Sequence, residues 1–513
     1  MINYSRHTTL NSLHVSTFCL VVLLCVVSIP KSWAQPAAIA SFEPKTAFAG
    51  QTVNIRGANF QAGARVIFGA TEANVISVSD QLIEAEVPPG ATVRRISVIN
   101  PSGFTAYSNQ NFVLSFNGDT PTTSASFTSQ IDLPAETGLF DVCMCDIDGD
   151  GLNDLFSGNS EFNIASVFQN ISTPGTISFA KIPVNLMAST LNTACGDLNG
   201  DGKPELIFSE GDDGERLFIL INNSIVGSFS FSLRTINIPG NSTKRIEIND
   251  LNLDGRPELI VTDQASNQVS ILRNTTTSGN LNFDLSNIIR LDVPGAESSA
   301  GMVVEDIDGD RRPDIVINQF LRDGGGIYSA RNIGTGNNID FTTFELNDVP
   351  GTYVNLALKD IDGDGSADLL GTRFLNGTLN VLLNQSSNGS IQWSAPTPFV
   401  VNGNPWGVEL GDLDGDRLVD VVVTSLRPGS TNFTVLNNQS TPGNLSLQRV
   451  DIPVTFINRN AKVGDIDGDG RPDVVITSVD DDANNIPSSD VSILRNINCI
   501  VPLIEPEGPI NFC

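Results

Sequence analysis

The stretch Asp465-Ile466-Asp467-Gly468-Asp469-Gly470-Arg471-Pro472-Asp473-Val474-Val475-Ile476 decides the fold. It joins a nine-residue loop, with acids at positions 1, 3, 5 and 9, to a β-branched apolar run that reads as a buried strand. The pattern Asp, Ile/Leu, Asp/Asn, any, Asp, any three, Asp/Glu also starts at Asp146, Asp197, Asp250, Asp306, Asp360 and Asp412, at intervals of 51 to 56 residues. A fixed motif at a fixed period marks a repeat architecture.

The flanks repeat with the loop. Apolar runs follow it, as in Leu206-Ile207-Phe208, Leu259-Ile260-Val261 and Val421-Val422-Val423. Further on comes an alternating strand ending in asparagine, as in Val269–Asn274, Leu379–Asn384 and Val491–Asn496. A Ser/Thr/Gly/Asn turn and one more strand complete each unit. Four short strands (A to D) in roughly fifty residues is the size of a propeller blade, so the expectation is a seven-bladed β-propeller over 125–498. The seventh unit ends after its C strand. The spare strand lies at the start, over Ala125–Leu133, and is expected to pair into blade seven and close the ring, which removes exposed sheet edges.

The loops read as calcium sites. Carboxylates at positions 1, 3 and 5 converge if the chain turns tightly, the position-7 carbonyl adds an oxygen, and position 9 completes the cage. Hard oxygen donors in this number suit Ca²⁺. The candidate ligands are Asp146, Asp148, Asp150, Leu152 and Asp154 in loop 1, and Asp197, Asn199, Asp201, Lys203 and Glu205 in loop 2. Loop 3 offers Asp250, Asn252, Asp254, Arg256 and Glu258; loop 4 offers Asp306, Asp308, Asp310, Arg312 and Asp314. Loop 5 offers Asp360, Asp362, Asp364, Ser366 and Asp368; loop 6 offers Asp412, Asp414, Asp416, Leu418 and Asp420. Loop 7 offers Asp465, Asp467, Asp469, Arg471 and Asp473. Glycine at position 6 permits the positive φ of the turn. Arg311 and Arg417 replace it in loops 4 and 6, which are expected to bind most weakly. An EF-hand is excluded, because position 12 never carries an acid and the flanks are strands. A metal-free Asp/Asn/Gly turn is the simpler alternative. Against it stands the placing of 26 of the 58 acidic residues in seven small turns, where like charges resist folding without a cation. Up to seven structural Ca²⁺ are expected.

The rest of the composition narrows the function. The chain has 513 residues and a net charge of −29, which disfavours nucleic acid as a partner. Arg6, the apolar run Phe18–Val27 and Ser32-Trp33-Ala34 read as a signal peptide over 1–34, so a secreted or cell-surface location is expected. No later segment has the length of apolar sequence that a membrane helix needs. Without residues 1–34 the chain holds 27 basic and 58 acidic residues, a net −31, which seven Ca²⁺ would bring to −17. Both histidines, His7 and His14, lie in that segment. Histidine-based triads, dyads and zinc sites are thereby excluded from the remainder. Cys143, Cys145 and Cys195 read as small strand residues, and Cys499 and Cys513 as a possible pair in the tail.

Residues 465–476 resemble the FG-GAP/VCBS repeat, related to the blades of integrin α-subunit propellers, and the resemblance extends over about 123–498. It implies calcium at positions 1, 3, 5, 7 and 9, with position 7 acting through its carbonyl. The Phe-Gly and Gly-Ala-Pro flanks of integrins are missing, so an integrin-like partner is not implied. Residues 36–116 alternate as a small all-β domain and resemble an IPT/TIG immunoglobulin-like domain through Ile55-Arg56-Gly57-Ala58-Asn59-Phe60, Asn100-Pro101-Ser102-Gly103 and Phe112. Residues 117–124 read as a linker, and 499–513 as a tail or the start of a further domain. The fold expected is therefore all-β: an immunoglobulin-like sandwich followed by a seven-bladed propeller. The leading functional expectation is calcium-dependent adhesion or binding of an extracellular glycan or protein. The ligand would sit on the face opposite the loops, with Tyr353 and Trp406 as candidates. A polysaccharide-cleaving enzyme built on carboxylates or Tyr/Lys, and a purely architectural surface protein, are the alternatives.

Overall fold

A computed structural model describes residues 37–498, apart from 102–104, 119, 137, 212–213, 240–242, 264–266, 278, 295–298, 320–325, 348, 350, 428–430 and 480–489. The expected signal peptide and tail lie outside the described residues, as do most of the turns Gly211–Gly214, Asp323–Gly326 and Asp480–Ser489.

Seven four-stranded antiparallel sheets form the propeller. Blade 1 shows the plan: strand A is Leu139–Cys145, B Asp154–Asn159, C Ile164–Asn170 and D Phe179–Asn185. The aspartate loop joins A to B. Strands such as Asp154–Asn159, Glu205–Glu210 and Asp420–Ser425 are buried at every residue, because each B strand packs against a neighbouring blade on both faces. That explains their unbroken apolar runs. D strands lie outermost and alternate, half of each facing water. No α-helix occurs among the described residues.

The ring closes with an N-terminal strand. Blade 7 takes A from Ile457–Gly464, B from Asp473–Val479, C from Asp490–Leu494 and D from Ile131–Pro134. Ile131 pairs with Ile493 and Leu133 with Val491. The expected strand over Ala125–Leu133 is thus shorter and shifted. Ser124–Ser126 form a 3₁₀ turn capped by Thr123, and Phe127 makes only an isolated bridge to Asn496. Phe127 is nonetheless buried against Phe433.

Asparagines clasp the blades. The Asn332 side chain donates to Pro313 O of its own blade at 3.2 Å and to Leu251 O of the preceding blade at 2.9 Å. Its Oδ1 accepts the Gly334 N–H. Asn170, Asn222, Asn274, Asn384, Asn438 and Asn496 repeat the pattern, so that every blade boundary is bridged.

Residues 38–115 form the sandwich. Ala38–Glu43, Thr52–Ala58, Leu82–Glu86 and Thr71–Val78 pair in that order, and Thr71–Val78 continues through Arg65–Phe68 and Arg95–Ile99 to Thr105–Asn111. Phe42, Ile55, Phe68, Ile83, Ile96 and Phe112 fill its core. The sandwich sits on the loop face of the propeller. Arg65 donates to Asp201 O of loop 2, the Thr105 N–H to Gly255 O of loop 3, Gln110 to Gly365 O of loop 5 and the Gly118 N–H to Gly415 O of loop 6. The approach at loop 6 needs glycine: a Cβ on Gly118 would meet Asp414 O at 2.1 Å. The expected linker is held as well, because Thr122 and Asn437 exchange hydrogen bonds.

Between the A strands and beneath the sandwich lies an axial cavity of about 360 Å³. Arg94 reaches into it from the sandwich, and Asp141, Glu247, Glu305, Glu409 and Lys462 line it from the blades. Lys462 pairs with Glu409 at 2.9 Å.

Candidate metal centres

Loop 1 shows how the sequence builds a cage. Gly149 and Gly151 adopt φ of +80° and +93°, which curls the backbone so that its N–H groups point inward. The Asp146 carboxylate accepts from Gly149 at 2.8 Å, Asp150 at 3.1 Å and Gly151 at 3.0 Å. Asp154 accepts from Ile147 at 2.8 Å and from Asn170, at the end of strand C, at 2.7 Å. The last aspartate therefore ties the loop to strands A and C before any ion is considered.

Five loops gather carboxylates. One oxygen each of Asp146, Asp148 and Asp154 lies within 4.8 Å of the others, and so do those of Asp306/Asp308/Asp314, Asp360/Asp362/Asp368, Asp412/Asp414/Asp420 and Asp465/Asp467/Asp473. Positions 1, 3 and 9 of the expected ligand set are thus brought together. Position 5 falls outside that cluster: Asp150, Asp310, Asp364, Asp416 and Asp469 each accept the N–H of position 7 instead. In loops 2 and 3 an asparagine stands at position 3. Asn199 donates to Glu205 at 2.8 Å, and Asn252 to Asp254 at 3.2 Å. Rotating either amide would turn an oxygen, in place of an N–H, toward a cation.

The electrostatics fit a hard cation. Burial pushes the Asp146 carboxyl up to about 7; the Gly149 and Gly151 N–H groups offset this in part, while Asp150 and Asp148 add to it. Burial likewise raises Asp314, Asp368 and Asp412 to about 7, Asp465 to about 8 and Glu258 to about 9. All-oxygen donors that repel one another in a buried turn match what Ca²⁺ stabilises.

The loops also differ among themselves. Arg311 and Arg417 hold the position-6 conformation at φ of +75° and +76°, where a side chain is strained. Position 4 needs the same conformation, and there Leu253 is the exception, at +58°. In loop 7, Arg495 is ion-paired with Asp467 and Asp469, and Arg471 with Asp469. Arg331 lies 3.6 Å from Asp308 in loop 4. A guanidinium thus already neutralises part of loop 7.

In loops 1, 4 and 7 the cage reaches across to a neighbouring blade, a feature that spacing within one repeat does not reveal. Asp148 accepts the Gly227 N–H from the C–D turn of blade 2 at 2.9 Å, Asp308 that of Gly389 at 2.9 Å, and Asp467 that of Gly175 at 2.8 Å. The candidate ligand-surface residues fare differently. Tyr353 is wholly buried between blades 4 and 5, its hydroxyl accepting from Asn380 at 2.9 Å, and does not face a ligand. Its size is used for packing against Gly371, where a Cβ would meet its ring at 2.6 Å. Trp406 is half-buried, edge-on to Phe374 and beneath the Arg459 guanidinium.

Residues 37–114 match the IPT/TIG domain. Residues 146–208, 197–261, 250–317, 306–371, 360–423 and 413–476 match the FG-GAP-like repeat. No curated protein matches the chain. Among similar solved structures are a structural genomics protein of unknown function from Bacteroides thetaiotaomicron (13% identity, TM-score 0.34) and an auxiliary nutrient binding protein from the same organism (12%, 0.33). Another auxiliary nutrient binding protein, from Bacteroides ovatus, is 13% identical with a TM-score of 0.35. Each similarity covers 90% of this chain and 98% of the other.

Proposed function

The chain belongs to the FG-GAP-like repeat family, and on that premise we propose that it is an exported binding protein whose propeller is braced by calcium and holds a glycan or protein ligand through the loops of its free face. The observation that carries this reading is the recurrence of one carboxylate cluster in five loops. A catalytic centre would be built once. A cluster repeated at blade after blade, and hydrogen-bonded to the next blade, serves the scaffold. The ions therefore act as braces, and positions 1, 3 and 9 hold them, with Asn199 and Asn252 standing in at position 3 of loops 2 and 3.

The sandwich occupies the loop face, which leaves the B–C and D–A turns for a ligand. Loops on a rigid scaffold are where binding residues collect. A glycan and matrix-protein array, run with calcium and again with chelator, tests the reading. Calcium-dependent retention without turnover is the expected result. Product released from a polysaccharide panel would overturn it in favour of an enzyme, for which Glu247 and Glu305 in the axial cavity are the residues to substitute first. Equal binding with and without chelator would remove the ion from the mechanism.

A further inference from the structure

The boundary between blades 1 and 2 carries three thiols that the cation sites do not use. Cys143 and Cys145 are two residues apart on strand A of blade 1, hence on one face of it. Cys195, on strand A of blade 2 (Thr190–Gly196), faces them. The Cys143 and Cys195 sulfurs are 3.2 Å apart. Cys195 also interacts with the Cys145 thiol. All three are buried. Cys143 and Cys195 line the axial cavity and Cys145 does not, so a small molecule in the cavity meets the first two.

We propose that Cys143 and Cys195 are a disulfide site that staples blade 1 to blade 2, with Cys145 as the alternative partner for Cys195. The sulfurs need to approach by only about 1.2 Å to reach bonding distance. The bond would join residues 52 apart in sequence and would act at the innermost strands, adding a covalent link to the hydrogen bonds that cross the same boundary, such as the Asn222 clasp to Ile147 O and Thr193 to Asp141. The oxidant is a disulfide, small-molecule or protein. One cysteine attacks it and releases the first thiol. The second cysteine then attacks the mixed disulfide and releases the second. Two protein thiols are oxidised, one external disulfide is reduced to two thiols, and atoms and electrons balance. The contact with Cys195, together with burial, pushes the Cys143 thiol up; for Cys195 the Cys143 contact lowers the thiol, but the Cys145 contact and burial outweigh it, so both are held mainly protonated at neutral pH. The reaction is therefore slow, and speeds up as pH rises. Its occurrence in the cell rests on the export reading, because such bonds persist in oxidising compartments.

The test uses the purified full chain, incubated with oxidised glutathione at pH 8.5, alkylated under denaturing conditions and mapped by non-reducing peptide mass spectrometry. The expected result is a Cys143–Cys195 peptide, alkylated Cys145, and a melting temperature higher by a few degrees than that of the reduced chain. Cys143→Ser should move the link to Cys145–Cys195, and Cys195→Ser should abolish both. Melting of the reduced variants reports whether they remain folded. Recovery of all three thiols in alkylated form at saturating oxidant, or of glutathione adducts alone, would overturn the proposal. A bond that forms in vitro yet is missing from protein taken from its native compartment would support the site and count against export.

Discussion

A single asparagine per blade does more for this ring than its place at a strand end suggests. Asn332 is fully buried, donates to two carbonyls on two different blades, and accepts one N–H. Its own N–H is taken by Asp314 at 2.9 Å. Asn332→Ala should leave Leu251 O, Pro313 O and the Gly334 N–H unpaired in a buried boundary. Unpaired groups of this kind cost about 1–3 kcal/mol each, so a loss of at least about 2 kcal/mol is expected in chemical denaturation. A midpoint unchanged in the variant would mean that water replaces the clasp. The asparagine was visible in the sequence, but its role was not. The pattern shows where a side chain recurs, while the acceptor, Leu251 O, lies in the preceding repeat. Tyr353 failed for a related reason: a large aromatic at a turn looks exposed until the neighbouring blade is in place.

At the scale of the element, the aspartate loop was legible because its chemistry is local. Spacing identified positions 1, 3 and 9, and the glycine requirement at position 6 appears as φ between +83° and +96° in the glycine-bearing loops. The matching requirement at position 4 went unread, as did the reach of one blade's turn into the next blade's loop. Those contacts depend on the ring. The raised carboxyls give the loop a pH signature. Asp146, Asp314 and Asp368 sit near 7 in the folded chain, against about 4 when unfolded. Between those values the folded state binds more protons, so stability falls as pH rises. In chelator, the melting temperature should fall by several degrees from pH 5 to pH 8. Calcium should reverse the trend, because it competes with the protons and binds best when they have left. A chelated protein equally stable at both pH values would indicate that guanidinium partners, such as Arg495 on Asp467, already compensate the loops.

At the scale of the molecule, the seven-fold period gave the ring, and the missing last strand gave its closure. The sandwich's position was not legible, since no motif marks a surface that meets backbone carbonyls. Yet that position couples the two domains. The sandwich rests on Gly255 O of loop 3 and Gly365 O of loop 5, Gly118 just after it on Gly415 O of loop 6, and Arg65 holds Asp201 O and Gly202 O of loop 2. These carbonyls belong to residues 4 to 6 of their loops, inside the turn that a cation would hold rigid. Emptying the loops should therefore loosen the docking before the blades themselves open, because the asparagine clasps and buried B strands do not depend on the ion. Hydrogen exchange with and without chelator checks this. The Thr105 and Gly118 amides, which bond to loops 3 and 6, should lose protection on chelation, while Val421 and Val422 in a central B strand stay protected. Arg65→Ala should weaken docking at loop 2 even with calcium present. If Thr105 and Gly118 remain protected in chelator, the loops keep their shape through the Asp146-type backbone hydrogen bonds alone, and the ions stiffen a platform that is already built.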